Sequence, residues 1–161
     1  MAEMCASPLV AGVWTDKDEW RGEGYERGDE VLHIELRRWA DALLVAPLSA
    51  NSLAKICAGM CDNLLLSVVR AWDGGEKGEG EGEGEEGSGG GAGKGIVVAP
   101  AMNTRMWRHP VTAGQIKTLE EWGIEVLGPV KKTLACGDVG IGGMESVEEI
   151  VKAIERRLGL S

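Results

Sequence analysis

Two apolar runs of strand length constrain this chain more than any other feature. They are ALLVA at 42–46 and IVVA at 96–99, and each runs straight into a proline through an alanine. Neither run alternates apolar with polar residues. A strand with one wet face alternates, whereas a strand covered on both faces does not, so both read as buried strands of a parallel sheet. Pro47 is expected to end the first strand. Helical spacing follows it: Ser49 or Asn51 can cap a helix carrying Leu53, Ile56, Cys57 and Met60, with Gly59 as its stop. Asp62 can cap a second helix, with Leu64, Leu65, Val68, Val69 and Trp72 on its apolar side. After the second strand, residues 111–122 read as a helix, 124–127 (IEVL) as a strand and 146–158 as a last helix. That helix has glutamates early and Arg156 and Arg157 late, as the helix dipole favours. Upstream, residues 9–14 (LVAGVW) read as a further strand, 15–30 as a surface loop, and HIELRRWAD at 33–41 as a short helix with a partly exposed face. Strands alternating with helices give an α/β fold.

Composition narrows the function. Residues 74–95 are almost all glycine and glutamate and hold twelve of the chain's 25 glycines. Such a tract cannot bury apolar surface and is expected to be a disordered insertion in one domain spanning 1–161. The net charge is −9, with no basic patch of the kind a nucleic-acid binder needs. No apolar run approaches the roughly 18 residues of a membrane span. Glu3 and the absence of an early positive charge argue against a secretory leader, so a cytoplasmic or nuclear protein is expected, with free thiols. Cys57 and Cys61 share a helix, but no further ligand has matching spacing, so both are expected in the core and no metal site is expected.

Open α/β sheets bind ligands beyond the carboxyl ends of their strands. Both strand ends here, LLVAPLSANS and IVVAPAMNT, place small residues and an amide at that edge. Small side chains let a flat ligand approach the backbone, and Asn51 and Asn103 each offer two donors and an acceptor. Taken singly, either motif also reads as an ordinary strand-end turn.

Five segments taken in order, HIELRRWAD, APLSANSLAKICAGMCDNLL, RAWD, PAMNTRMW and ACGDVGIGGM, resemble the flavoprotein cysteine decarboxylases, and phosphopantothenoylcysteine decarboxylase in particular. The resemblance implies a three-layer Rossmann-like or flavodoxin-like parallel sheet with helices on both faces, assembled as a homotrimer, or as a heterotrimer with related subunits. It implies FMN as cofactor and a carboxy-lyase reaction: 4′-phosphopantothenoylcysteine is decarboxylated to 4′-phosphopantetheine on the route to coenzyme A. By the same resemblance, His33 is the catalytic base, supplied across a subunit interface, and Asn103 binds the substrate carboxylate. Cys136 protonates the enethiolate intermediate, and Leu134 and Ala135 touch substrate from a clamp. Ser49, Ala50, Asn51, Ser52 and Ala101 contact the flavin, while Met106 and Trp107 support the motif's geometry. An imidazole suits a base because its ordinary pKa is about 6.5, and a thiol near 8.5 can donate close to neutrality. Read alone, His33 is a polar residue at a helix start, Cys136 a small buried hydrophobe, and His109 a surface residue. Lys131, Lys132 and glycines 137, 140 and 142 suggest a mobile loop that could close over substrate.

The chain also departs from the family. A first strand and a glycine-serine loop for the FMN phosphate are expected before Leu9 and are missing, so the chain reads as N-terminally truncated. GGMES, at 142–146, is one residue shorter than the family's corresponding pattern. Two other readings stand beside the decarboxylase: a halotolerance-type regulatory subunit that inhibits a type 1 protein phosphatase, suggested by the acidic tract, and an inactive fragment unable to hold FMN.

Overall fold

The structure, a computed structural model, describes residues 8–19, 28–72, 94–133 and 139–160. A three-stranded parallel sheet runs in the order β1 (Ala42–Leu48), β2 (Gly95–Pro100), β3 (Glu125–Val126). The helices are α1 (Asp16–Glu19), α2 (Leu32–Trp39), α3 (Ala50–Cys57), α4 (Leu64–Ala71), α5 (Thr104–Trp107), α6 (Pro110–Glu121) and α7 (Val147–Arg157).

β2 is the central strand, and all six of its residues are buried. Ile96 and Val98 join the core that Leu53 and Ile56 of α3, Leu64, Leu66 and Val68 of α4, and Leu119 of α6 complete. Strand alternation sends Val97 and Ala99 to the opposite face. There α7, with Ile150 and Ala153 buried, packs against β1 and β2. Helices therefore cover both faces, as expected.

β1 departs from the expectation of burial on both faces. Among the described residues no strand pairs with its outer side, and Leu44, Ala46 and Pro47 are exposed. Pro47 does not end the strand either. The ladder shifts register between Val45 and Leu48 and then resumes at Leu48 opposite Pro100. Such an irregularity accommodates a residue with no N–H to donate.

Other boundaries moved for local reasons. Residues 9–14 form no strand; Trp14 instead packs against Trp39 in a tilted ring contact, with centroids 6.2 Å apart and planes at 60°, and part of the expected loop is the short helix α1. Asn63, not Asp62, caps α4, accepting from the Leu66 N–H at 2.8 Å, while Asp62 pairs with Lys55. Leu66 is buried, although it was not placed on the apolar side of α4, and Met60 and Cys61 are exposed. Gly59 ends α3 with φ +70°, a conformation that favours glycine. The strand expected at 124–127 contracts to two residues.

Most of the glycine-glutamate tract lies outside the described residues, but its last two residues belong to the fold. Gly95 starts β2. Lys94 Nζ donates to the carbonyls of Arg37 and Arg38 at 3.1 and 2.7 Å, closing the C-terminal end of α2 as a cation there should. The Lys94 carbonyl in turn accepts from Trp72 Nε1 at 2.7 Å. Finally, the segment expected as a mobile loop has its flanks in an antiparallel hairpin of β4 (Val130–Thr133) and β5 (Val139–Gly143).

Candidate functional site

The carboxyl ends of β1 and β2 lie side by side. Leu48 pairs with Pro100, and the Ala101 N–H donates to the Leu48 carbonyl at 2.9 Å. The turn leaving β1 is built from small residues. Of the two candidate caps, Ser49 is the one used: its Oγ accepts from the Ser52 N–H at 3.1 Å and donates to Ser52 Oγ at 3.1 Å. Ser49 and Asn51 are exposed, as are Ala46 and Pro47 just before them, while Ala50, Ser52 and Ala101 are half-buried. All five residues that the resemblance assigned to flavin contact thus share one edge. That edge fits a flat aromatic ring, because no bulky side chain of the turn stands between a ligand and the backbone.

Beside this shelf is a broad open cavity of about 580 Å³ lined by Asn103, Thr104, Arg105, Arg108 and Val139. Asn103 caps α5; its Oδ1 accepts from the Arg105 N–H at 2.8 Å. The hairpin docks on the same segment. The Met102 N–H donates to the Gly142 carbonyl at 2.8 Å, and Gly142 adopts φ +133°. A Cβ at Gly140 would come within 2.2 Å of Thr104 Oγ1, a buried hydroxyl with no hydrogen-bond partner among the described residues. The glycines of β5 therefore let its backbone lie directly on the PAMNTRMW segment. Arg105 and Arg108 bring two exposed guanidiniums to the cavity of a chain whose net charge is −9. Neither arginine was singled out in the sequence; their spacing of three residues beside Asn103 was the available signal.

The supporting residues divide. Trp107 packs against the core, as expected. Met106 is 49% exposed and contributes chiefly its carbonyl, which accepts from Thr112 Oγ1 at 2.7 Å. His109 is exposed, as expected, and also caps α6 by accepting from the Val111 N–H.

His33 is the second residue of α2, and its Nδ1 contacts Glu19 Oε1 of α1. It does not line the Asn103 cavity, so the single chain does not bring these two site residues into one wall. Cys136, Leu134 and Ala135 lie outside the described residues, between Thr133 of β4 and Val139 of β5. Val139, the first residue of β5, lines the cavity.

Of the cysteines expected in the core, Cys57 is half-buried and donates to the Gln115 carbonyl at 3.4 Å; burial raises its thiol pKa above the ordinary value. Cys61 is exposed, because α3 has ended at Gly59 before the chain reaches it. Among the described residues no three His, Cys, Asp or Glu side chains cluster closely enough to hold a metal ion, and no helix is long and apolar enough to cross a membrane.

Comparison with known proteins places these features in context. The family described as Flavoprotein matches residues 2–159. A probable phosphopantothenoylcysteine decarboxylase of Arabidopsis thaliana is 50% identical over 137 residues, covering 85% of this chain and 59% of that protein. A solved PPC decarboxylase mutant complexed with pantothenoylaminoethenethiol superposes with a TM-score of 0.76 at 44% identity, covering 91% of this chain and 70% of that one. The FMN binding protein AtHal3 superposes with a TM-score of 0.72 at 44% identity, covering 92% and 70%. The chain spans a little over half the length of the first curated relatives it matches.

Proposed function

This chain belongs to the Flavoprotein family, and on that premise we propose that it serves FMN-dependent decarboxylation of 4′-phosphopantothenoylcysteine to 4′-phosphopantetheine. The observation that carries the reading is the cavity at the carboxyl edge. There an amide and two guanidiniums, from Asn103, Arg105 and Arg108, stand beside a shelf of small residues. A substrate with a carboxylate at one end and a phosphate at the other suits that donor set, since charge-assisted bonds to guanidinium are about twice as strong as neutral ones.

Bound FMN would supply reversible two-electron chemistry at the substrate's thiol-bearing carbon. The chain's own residues do the rest. Ser49, Ala50, Asn51, Ser52 and Ala101 hold the ring. Asn103 orients the carboxylate that leaves as CO₂. His33 takes the thiol proton, and Cys136 returns a proton to the enethiolate. Because His33 stands off the Asn103 cavity within one chain, the site is completed by a His33 from a neighbouring subunit, in a homotrimer or a heterotrimer with related chains. We place the protein in the cytoplasm.

The test begins with the visible spectrum of the purified chain after FMN addition and desalting. A retained flavin band is expected, together with CO₂ release that falls on the order of 10²-fold or more in His33→Asn. Single alanine replacements of Arg105 and Arg108 should raise KM roughly tenfold each, the loss of about one charge-assisted bond. A chain that retains no flavin and instead inhibits a type 1 protein phosphatase would overturn the reading in favour of the regulatory one.

A further inference from the structure

We propose that Glu19 is a positioning residue that fixes the tautomer of His33, an inference that rests on reading His33 as the base. Glu19 Oε1 contacts His33 Nδ1, and the two side chains are 4% and 22% exposed. The second carboxylate oxygen, Oε2, is buried and meets no hydrogen-bond partner among the described residues. A carboxylate so far out of water is costly to keep unless a donor meets it. An ionised carboxylate only accepts, so the imidazole nitrogen facing it must carry a proton. That puts the hydrogen on Nδ1 and leaves the lone pair on Nε2, the nitrogen that can then accept the substrate's proton. When Nε2 does so, the imidazolium charge is met by Glu19 with no movement of either group.

The surroundings hold Glu19 in place. Its helix, α1, has only four residues and cannot persist by itself. At its start the Thr15 N–H and Oγ1 both donate to Asp18 Oδ2, each at 2.7 Å. From its first residue, Asp16 Oδ1 accepts from the Leu64 N–H at 2.9 Å, tying α1 to the start of α4. A helix this small, capped at its start and tied there to α4, serves to present its one deeply buried carboxylate to α2.

The chain has two histidines, His33 and His109, so two-bond ¹⁵N–¹H correlation spectra of the labelled full chain resolve both, with His109→Gln assigning the pair. At alkaline pH, where imidazoles are neutral, His33 is expected as the Nδ1–H tautomer. Glu19→Ala should shift it toward Nε2–H. Glu19→Gln retains an acceptor oxygen and should preserve the Nδ1–H form, which separates tautomer control from loss of folding. In FMN-loaded protein, Glu19→Ala should lower kcat on the order of 10²-fold with KM little changed, and Glu19→Gln should recover part of that loss. An Nε2–H or doubly protonated His33 in the unmodified chain, or a tautomer unmoved by Glu19→Ala, overturns the proposal. If the tautomer follows Glu19 while no preparation releases CO₂, the positioning role stands and the decarboxylase reading fails.

Discussion

β1 and β2 are near-twins in sequence and opposites in environment. Both are apolar runs that reach Ala-Pro, both are parallel, and they pair with each other. Yet β2 is buried along its whole length, whereas Leu44, Ala46 and Pro47 of β1 are open. The difference comes from position in the sheet. β2 has a strand on each side and a helix layer on each face, while β1 has only β2 beside it among the described residues. A run of apolar residues therefore states that a strand can be covered, and topology decides whether it is. The same asymmetry shapes the site: exposed Ala46 and Pro47 of β1 lead into a shelf of small residues, and the buried end of β2 anchors the segment bearing Asn103.

The largest expected effect breaks the twinning outright. Val98 of β2 is 0% exposed and Leu44 of β1 is 39% exposed. Val98→Asp should cost more than about 4 kcal/mol and leave the chain unfolded, because a buried carboxylate without a partner is among the costliest substitutions. Leu44→Asp should cost about 1 kcal/mol or less. Urea midpoints for the two variants measure the contrast directly, and similar midpoints would mean that β1 is covered. Within β1 itself, Leu48→Ala should cost about 2–5 kcal/mol, since Leu48 is 0% exposed, several times the cost of Leu44→Ala.

The next test concerns what each strand end holds. The hairpin is fastened to the end of β2 through Gly142, where a Cβ would lie 2.2 Å from the Met102 carbonyl oxygen at a φ of +133°. Gly142→Ala should therefore cost about 1–3 kcal/mol. It should also release the Met102 amide, seen as faster hydrogen exchange there, and raise KM through loss of the wall that Val139 supplies. At the end of β1 the turn into α3 is capped by the Ser49 hydroxyl. Ser49→Ala should cost about 1 kcal/mol and leave Met102 exchange unchanged.

Much of this was legible in the sequence, and the misses have physical causes. The two strands, the helices at 50–57, 64–71, 110–121 and 147–157, and the edge where Ser49, Asn51 and Asn103 lie followed from periodicity and strand-end chemistry. Burial of β1 was overestimated because an apolar run carries no record of how many neighbours a strand has. The strand expected at 9–14 failed because Trp14 found an aromatic partner, and apolarity alone does not specify pairing. β4 and β5 went unseen because lysines and glycines were read as loop residues. In β5, however, those glycines permit the close approach to Met102 and Thr104. Glu19 could not be found from sequence, since it meets His33 across fourteen positions through a helix of a single turn.

The smallest expected effect sharpens the comparison at the helices that the two strands feed. α3 follows β1, and α6 lies beyond the end of β2. They touch, and Cys57 Sγ donates to the Gln115 carbonyl across their contact. Burial raises the Cys57 pKa above the ordinary thiol value. A raised thiol pKa means that the folded state favours the neutral form. Its contribution is therefore complete below the unfolded pKa and is lost as pH rises through the folded one, because the unfolded chain releases the proton first. Stability should thus decline in the alkaline range, above the ordinary thiol pKa, more steeply in the native chain than in Cys57→Ala, whose midpoint is lower overall but flatter with pH. In a Cys5→Ser, Cys136→Ser background, a thiol reagent should modify exposed Cys61 well before Cys57. Equal labelling rates would mean that the α3–α6 contact opens readily, and that the end of β1 is less firmly tied to the end of β2 than their shared ladder implies.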